Sequence, residues 1–253
     1  MIDLTNEDCF EYLSNVPDKA IDLVLTDPPY QISRDTNFAS GNPTGRDTDR
    51  FRVSMDFGDW DKAVPNLMKV IQECYRVLRI GGTMICFYDL WKITLMKNYF
   101  DEAGFKQLRF IEWLKTNPVP LNSKTNYLTN VREVAIVGVK GGKPTFHSEY
   151  DDCLYRYPIC HDKGRFHTAQ KPVALMEELI LKHTNPEDLV LDCFAGSAST
   201  AIAALHTNRH FIGCEISTEY YIKAMERIKE ETDGEEKDGS REFSEESQGA
   251  EQL

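Results

Sequence analysis

Hydrophobic positions along this chain fall into short continuous apolar runs and longer stretches spaced three and four apart. Ile21–Thr26 (IDLVLT) is such a run, stopped by Asp27-Pro28-Pro29, and reads as a buried strand ending at a rigid turn. Residues 31–58 are polar, with no hydrophobic period, a length of loop that in a compact domain is functional or mobile. From Asp61 to Arg79, Leu67, Val70, Ile71, Cys74, Val77 and Leu78 keep helical spacing, and Gly81-Gly82 closes the segment. Thr83–Phe87, Lys106–Leu114 and Glu133–Val139 read as strands, and Trp91–Ala103 as a helix stopped by Gly104. Beyond Pro172, which suits a first helical turn, Leu175, Met176, Leu179 and Ile180 mark a helix face. A strand Leu189–Leu191 ending at Asp192, a small-residue helix Ala198–Leu205, a strand Phe211–Cys214 and a helix Thr218–Ile228 follow.

Strands and helices alternating at this spacing predict an α/β fold with a central, mostly parallel sheet and helices on both faces. In such sheets ligands bind at the carboxyl ends of strands. Two predicted strand ends carry reactive side chains, Asp27 and Asp192, and they lie 165 positions apart.

Composition narrows the class. The chain has 253 residues, 41% of them hydrophobic and 28% charged, which excludes collagenous, mucin-like and wholly disordered proteins. It contains no run of about 18 apolar residues that would span a membrane, and its acidic N-terminus lacks a secretory pattern. Seven cysteines in that setting predict reduced thiols and a cytoplasmic location. The net charge of −12 argues against a nucleic-acid binder until it is divided by segment. Residues 230–253 hold ten acidic and two basic side chains, so 232–253 reads as a disordered, solubilising acidic tail behind one domain, 1–231. Residues 103–171 carry +5, where a polyanion could dock.

The chemistry at the first strand end suits a planar exocyclic amine. An amine whose lone pair is delocalised into a ring needs acceptors for its hydrogens as its nitrogen pyramidalises. Asp27 offers a carboxylate, the stiff Pro28-Pro29 unit a backbone carbonyl, and Tyr30 a ring face for an extruded base. The second end, Asp192 through Thr200, is a strand, a turn with one glycine, and a helix of small residues that lets a ligand approach the backbone. Glu215 ends the next strand, 19 positions after Gly196, where an acid can hold ribose hydroxyls. A dinucleotide site would need Gly-x-Gly-x-x-Gly, and the turn has Gly196 alone. Cys153, Cys160, His161 and His167 follow no zinc-ligand spacing, so no metal is expected.

Together, DPPY at 27–30 and the later F-x-G turn at 194–196 resemble the amino-directed DNA methyltransferases that modify adenine N6 or cytosine N4. The catalytic motif comes first, the basic segment next and the cofactor motif last, which resembles the β-type order of that family. The resemblance spans about residues 3–230. It implies a circularly permuted, Rossmann-like class I fold and S-adenosyl-L-methionine as cofactor. Asn6-Glu7-Asp8-Cys9 resembles the family's N-G-D-C segment and implies that Asp8 contacts the adenine of the cofactor. His167-Thr168-Ala169-Gln170-Lys171-Pro172 resembles H-P-T-Q-K-P and implies that Gln170 and Lys171 face the methionine end. The turn implies further cofactor contacts from Asp27, Asp192, Phe194, Ala195, Gly196, Ser197, Ser199, Thr200 and Glu215. Trp113-Leu114-Lys115-Thr116-Asn117-Pro118 resembles the W-x-K-x-N-P stretch beside the target-base pocket.

The reading is therefore a methyltransferase acting at N6 of a flipped adenine, with Asp27, Pro28, Pro29 and Tyr30 catalytic. DNA, duplex or single-stranded, would be met by Arg34, Arg46, Arg50 and Arg52 of the 31–58 loop. The recognition segment, about 115–165, would add Lys115, Asn117, Lys124, Arg132, Arg156 and Arg165, with Lys140, Lys143 and Lys163 in the same basic stretch. A homodimer and a cognate restriction endonuclease are the other partners the resemblance suggests. Cytosine N4, an RNA base and a non-catalytic binding subunit are the alternatives. Ala198 stands where the family usually has a second glycine, and its methyl group is expected to crowd the cofactor if that position needs a positive φ.

Overall fold

The computed structural model describes residues 1–29, 65–118, 129–160, 166 and 169–249. Their elements are β1 (Ile2–Thr5), α1 (Cys9–Asn15), β2 (Ile21–Thr26), α2 (Leu67–Val77), β3 (Leu78–Tyr88), α3 (Ile93–Ala103), β4 (Lys106–Lys115), β5 (Arg132–Val139), β6 (Leu154–Tyr157), α4 (Val173–His183), β7 (Leu189–Asp192), α5 (Ser199–His206), β8 (His210–Cys214) and α6 (Thr218–Gly249). The strands form one sheet in the order β1-β8-β7-β2-β3-β5-β4-β6. Every neighbouring pair is parallel except those made by β5, which runs against both β3 and β4.

Both faces of the sheet are covered, so the central strands read as unbroken apolar runs rather than alternating ones. In β2, Leu23 and Leu25 face a core shared with Leu175, Leu179 and Ile180 of α4 and with Ala201–Ala204 of α5. Ile21 and Val24 face the other core, with Leu13 of α1, Val70, Ile71 and Cys74 of α2, and Met96 and Phe100 of α3. Gly213 lets β8 close against β7: a Cβ there would stand 2.5 Å from the Asp192 carbonyl oxygen. Gly104 ends α3 with φ 101°, as a C-terminal glycine does.

The predicted fold class holds, with local differences. Pro172 is the cap before α4, with φ −60° and ψ 131°, rather than a residue of its first turn. Three elements had no strong periodic signal: β1 and β6 are four residues each, and α1 is seven. Such short edge elements are decided by pairing rather than by local pattern. The backbone of α6 continues helical to Gly249, whereas a disordered tail was expected from 232; Glu-, Lys- and Arg-rich sequence is itself a good helix former. Among the described residues no helix is long and apolar enough to cross a membrane.

Candidate active site

β2 lies between β7 and β3, with Leu23 opposite Val190 and Val24 opposite Leu191. This pairing sets the end of the chain's first strand run beside the start of its last, the switch point at which doubly wound sheets bind ligands. A cleft of about 380 Å³ opens there. It is lined by Glu7–Phe10 after β1, Asp27–Pro29 after β2, Asp192–Ser197 after β7, Glu215 and Ile216 after β8, and by Ala169, Lys171, Ser199, Thr200 and Tyr220. All the predicted cofactor residues except Gln170 therefore converge on one cavity. Gln170 is buried outside its lining, with a side-chain oxygen that has no partner among the described residues.

Asp192 holds the β7 turn together. One carboxylate oxygen accepts from Thr26 Oγ1 at 2.7 Å and from the Phe194 N–H at 3.0 Å, and the other from Thr200 Oγ1 at 2.7 Å. Burial lifts its pKa above the ordinary carboxylate range against these donors. Glu215 accepts the N–H of Gly196 and of Ser217, both at 2.8 Å, one on each oxygen. Gly196 makes this approach with φ 52°, a conformation in which a Cβ is strained. Asp8 caps α1 by accepting the Phe10 N–H at 2.8 Å. Asn6 donates to the carbonyls of Glu215 (2.7 Å) and Ile216 (3.2 Å), tying the β1 and β8 ends together.

Ala198 does adopt the left-handed conformation, φ 61° and ψ 26°. The expected crowding of the cofactor is not met: the fully buried residue belongs to the apolar core and is absent from the cleft lining. Its departure from glycine costs about 1–2 kcal/mol of backbone strain rather than space.

The Asp27 strand end shows a partner set that no local pattern revealed. Lys171 bridges Asp27 Oδ2 and Glu133 Oε2, the latter at 3.2 Å, and Glu133 Oε1 pairs with Lys115 Nζ at 2.7 Å. Asp27 Oδ1 is buried without a hydrogen-bond partner among the described residues. Burial is the main influence on Asp27 and pushes it up to about 6, with Glu133 and Asp192 adding to the rise and Lys171 opposing it. Burial likewise opposes ionisation of Lys171 and Glu133, but Asp27 and Glu133 hold the lysine above its usual range, and Lys171 and Lys115 hold Glu133 below its own. Glu133 reaches this site because β5 is antiparallel: its first residues lie at the carboxyl end of the parallel strands. A single Glu opening a strand carries no mark of that in sequence.

The expected DNA-contacting residues divide. Lys115 is 16% exposed and committed to Glu133, so it joins the ion-pair row beside Asp27 and is not free for a phosphate. Asn117 is also occupied: its Oδ1 accepts the Ile159 N–H at 2.6 Å and its Nδ2 donates to the same residue's carbonyl at 3.5 Å. Arg132 and Arg156 are 59% and 57% exposed, beside Glu112 (3.2 Å) and Asp152 (4.0 Å). Lys140 and Lys143 follow β5 at the opposite end of the sheet, where the Gly81 N–H donates to the Lys140 carbonyl, so they lie away from the cleft. Tyr30, Arg34, Arg46, Arg50, Arg52, Lys124, Lys163, Arg165 and His167 lie outside the described residues.

A sheet of this order, with an Asp-Pro-Pro strand end facing an acidic, small-residue turn across its switch point, defines a Rossmann-like methyltransferase fold. The chain belongs to the N6/N4 family of DNA methylases, whose family model, described as DNA methylase, matches residues 21–226. Among similar proteins, the type II methyltransferase M2.DpnII of Streptococcus pneumoniae is 30% identical over 91% of this chain and 90% of its own. M2.LlaDCHI of Lactococcus lactis subsp. cremoris is 29% identical over 89% and 88%. The crystal structure of the M1.HpyAVI–SAM complex is 29% identical, with a TM-score of 0.68 over 90% of this chain and 99% of that one. PvuII DNA methyltransferase, cytosine-N4-specific, shares the fold at 18% identity and a TM-score of 0.69, over 92% and 90%.

Proposed function

We propose that this DNA methyltransferase acts on the exocyclic N6 of adenine, with S-adenosyl-L-methionine as methyl donor. The observation that carries the reading is Asp27: a buried carboxylate at the cleft, with one oxygen tied to Lys171 and the other, Oδ1, without a partner among the described residues. An unpaired buried acceptor is costly unless a donor arrives, and an aromatic amine is such a donor.

The cleft suits the cofactor. Its volume of about 380 Å³ falls within the usual range for small-ligand sites. Glu215 is oriented by two backbone N–H groups and keeps lone pairs for ribose hydroxyls, while Asp8 and half-buried Phe194 border the same space. Ala195, Gly196 and Ser197 place little side-chain bulk in it. When bound, S-adenosyl-L-methionine supplies an electrophilic methyl group. In this reading Asp27 Oδ1 accepts one hydrogen of the target amine and the Pro28 carbonyl the other, which frees the nitrogen lone pair for bonding. Oδ1 takes up the proton that the amine sheds as the new N–C bond forms. Tyr30, outside the described residues, stacks on the flipped base. Holding the two reactants in line supplies at most about 7–11 kcal/mol of the barrier reduction.

The test incubates the chain with unmethylated DNA and labelled S-adenosyl-L-methionine, then identifies the modified nucleosides by mass. N6-methyladenine is expected, with a loss of about 10²-fold or more in rate for Asp27→Ala. N4-methylcytosine would overturn the choice of base, and the absence of any methylated nucleoside would overturn the reading as a whole.

A further inference from the structure

Lys171 is an enclosed cation beside the Asp27 strand end, with a side chain only 5% exposed. A buried ammonium persists only where opposite charges replace its hydration. Two carboxylates do so here from different strands: Asp27 at the end of β2 and Glu133 at the start of β5. The ammonium also stands over the Phe87 ring, 5.1 Å from its centroid. Glu133 turns its second oxygen to Lys115 at the end of β4, so the charges alternate in sign along the row Asp27, Lys171, Glu133, Lys115. The main chain of Lys171 is fixed as well, since its carbonyl accepts from Ser199 Oγ at 2.8 Å. Strand ends and a helix start hold every member of the row.

We propose that Lys171, clamped by Glu133, is a positioning residue for methyl transfer: by occupying Oδ2 of Asp27 it leaves Oδ1 as the single acceptor turned to the substrate amine. The inference rests on the reading of Asp27 as the group that receives the amine. It gives Lys171 a different task from contact with the methionine end of the cofactor, because its ammonium is already engaged by two carboxylates and a ring face. Glu133 is the reason the lysine cannot swing away. Neither residue touches the reacting atoms.

The arrangement has a consequence with a sign. The charged groups that face Asp27 are Lys171 before α4, Glu133 on β5 and Asp192 on β7, while Cys86 on β3 stays a neutral thiol. Removing the lysine leaves burial and two like charges, all of which favour protonated Asp27; removing the Glu133 charge does the opposite.

The experiment uses the full chain and two readouts: a ¹³C-carboxylate NMR titration of Asp27, assigned with Asp27→Asn, and single-turnover methyl transfer to DNA across pH 5–10. In the wild type, Asp27 titrates near 6. Lys171→Met moves that titration and the acidic limb of the rate profile upward by about 1–3 pH units. Lys171→Arg restores most of the shift, and Glu133→Gln, whose amide oxygen still accepts from the ammonium and keeps the clamp while removing its charge, moves both toward acid. Should Lys171→Met fail to fold, Lys171→Arg is still expected to keep the wild-type limb and Glu133→Gln to move it toward acid. Binding of S-adenosylhomocysteine, measured by calorimetry, serves as the check on folding. An unchanged limb in Lys171→Met, or an alkaline shift in Glu133→Gln, would overturn the inference. A wild type with no Asp27-dependent methyl transfer would overturn the functional reading beneath it, whereas an active wild type whose Asp27 ignores Lys171 would overturn this inference alone.

Discussion

Asp27 and Asp192 stand at the carboxyl ends of neighbouring strands, yet the two carboxylates differ in how many of their acceptor sites the fold occupies. Asp192 accepts three hydrogen bonds, from Thr26, Phe194 and Thr200, and so joins β2, the turn and α5. Asp27 keeps one oxygen without a partner among the described residues. Burial lifts its folded pKa to about 6, above the ordinary value of 3.8, so its contribution to stability is complete below about 3.8 and is lost as pH rises through 6. Asp27→Asn is therefore expected to abolish methyl transfer and to remove this group's fall in stability, about 1–3 kcal/mol between pH 4 and pH 8, while leaving Lys171 with Glu133 as its remaining carboxylate. Urea unfolding of wild type and variant at the two pH values measures it; parallel pH dependences would contradict the burial argument. Asp27 and Glu215 were legible in sequence because each ends a short apolar run. Glu133 was not, since nothing near it distinguishes a catalytic neighbour from a solvated strand residue.

Direction of run is the decisive property of the elements, and β5 is the instructive case. Its residues 132–139 read as a strand from their apolar content, but only the ladder with β3, Thr83 opposite Val139 through Tyr88 opposite Val134, shows that it runs backwards. Arg132 and Glu133 are thereby carried to the cleft end of the sheet, and Lys140 and Lys143 to the far end. The basic segment is thus divided between two ends of the molecule. With duplex DNA, Arg132→Ala should flatten the slope of log affinity against log salt by about one unit, and Lys143→Ala should leave it unchanged. Equal effects from both substitutions would place the DNA elsewhere. β1, α1 and β6 escaped sequence reading because four to seven residues hold too few apolar repeats to declare a period.

Across the whole molecule, two cores on opposite faces of one sheet leave the switch point as the place where polar groups gather. Away from that cleft, His183 on α4 is 8% exposed beside the Phe146 ring (5.1 Å), with Nδ1 unpartnered among the described residues. Burial, aided by Lys182 and opposed by Asp151, lowers its pKa from 6.5 to about 4. Its stabilising contribution is present above 6.5 and lost as pH falls through 4, the reverse of Asp27. Acid unfolding should then take up one proton between these values. His183→Leu should remove that uptake, changing the stability difference from wild type by about 3 kcal/mol between pH 7 and pH 4. Calorimetric scans at both pH values provide the check, and parallel pH dependences would exclude His183 as the titrating group.

The sequence by itself determined the α/β class, most element positions, the two acidic strand ends and the family motifs, because each is written in neighbouring residues: apolar spacing, a proline pair, a lone glycine in a turn. Tertiary structure alone decided that Asp27 and Asp192, 165 positions apart, share one cleft, that Ala198 directs its methyl group into the core, and that Lys171, Glu133 and Lys115 form a single row with Asp27. Those relations depend on strand order and direction, which arise from pairing between distant segments and leave no local trace.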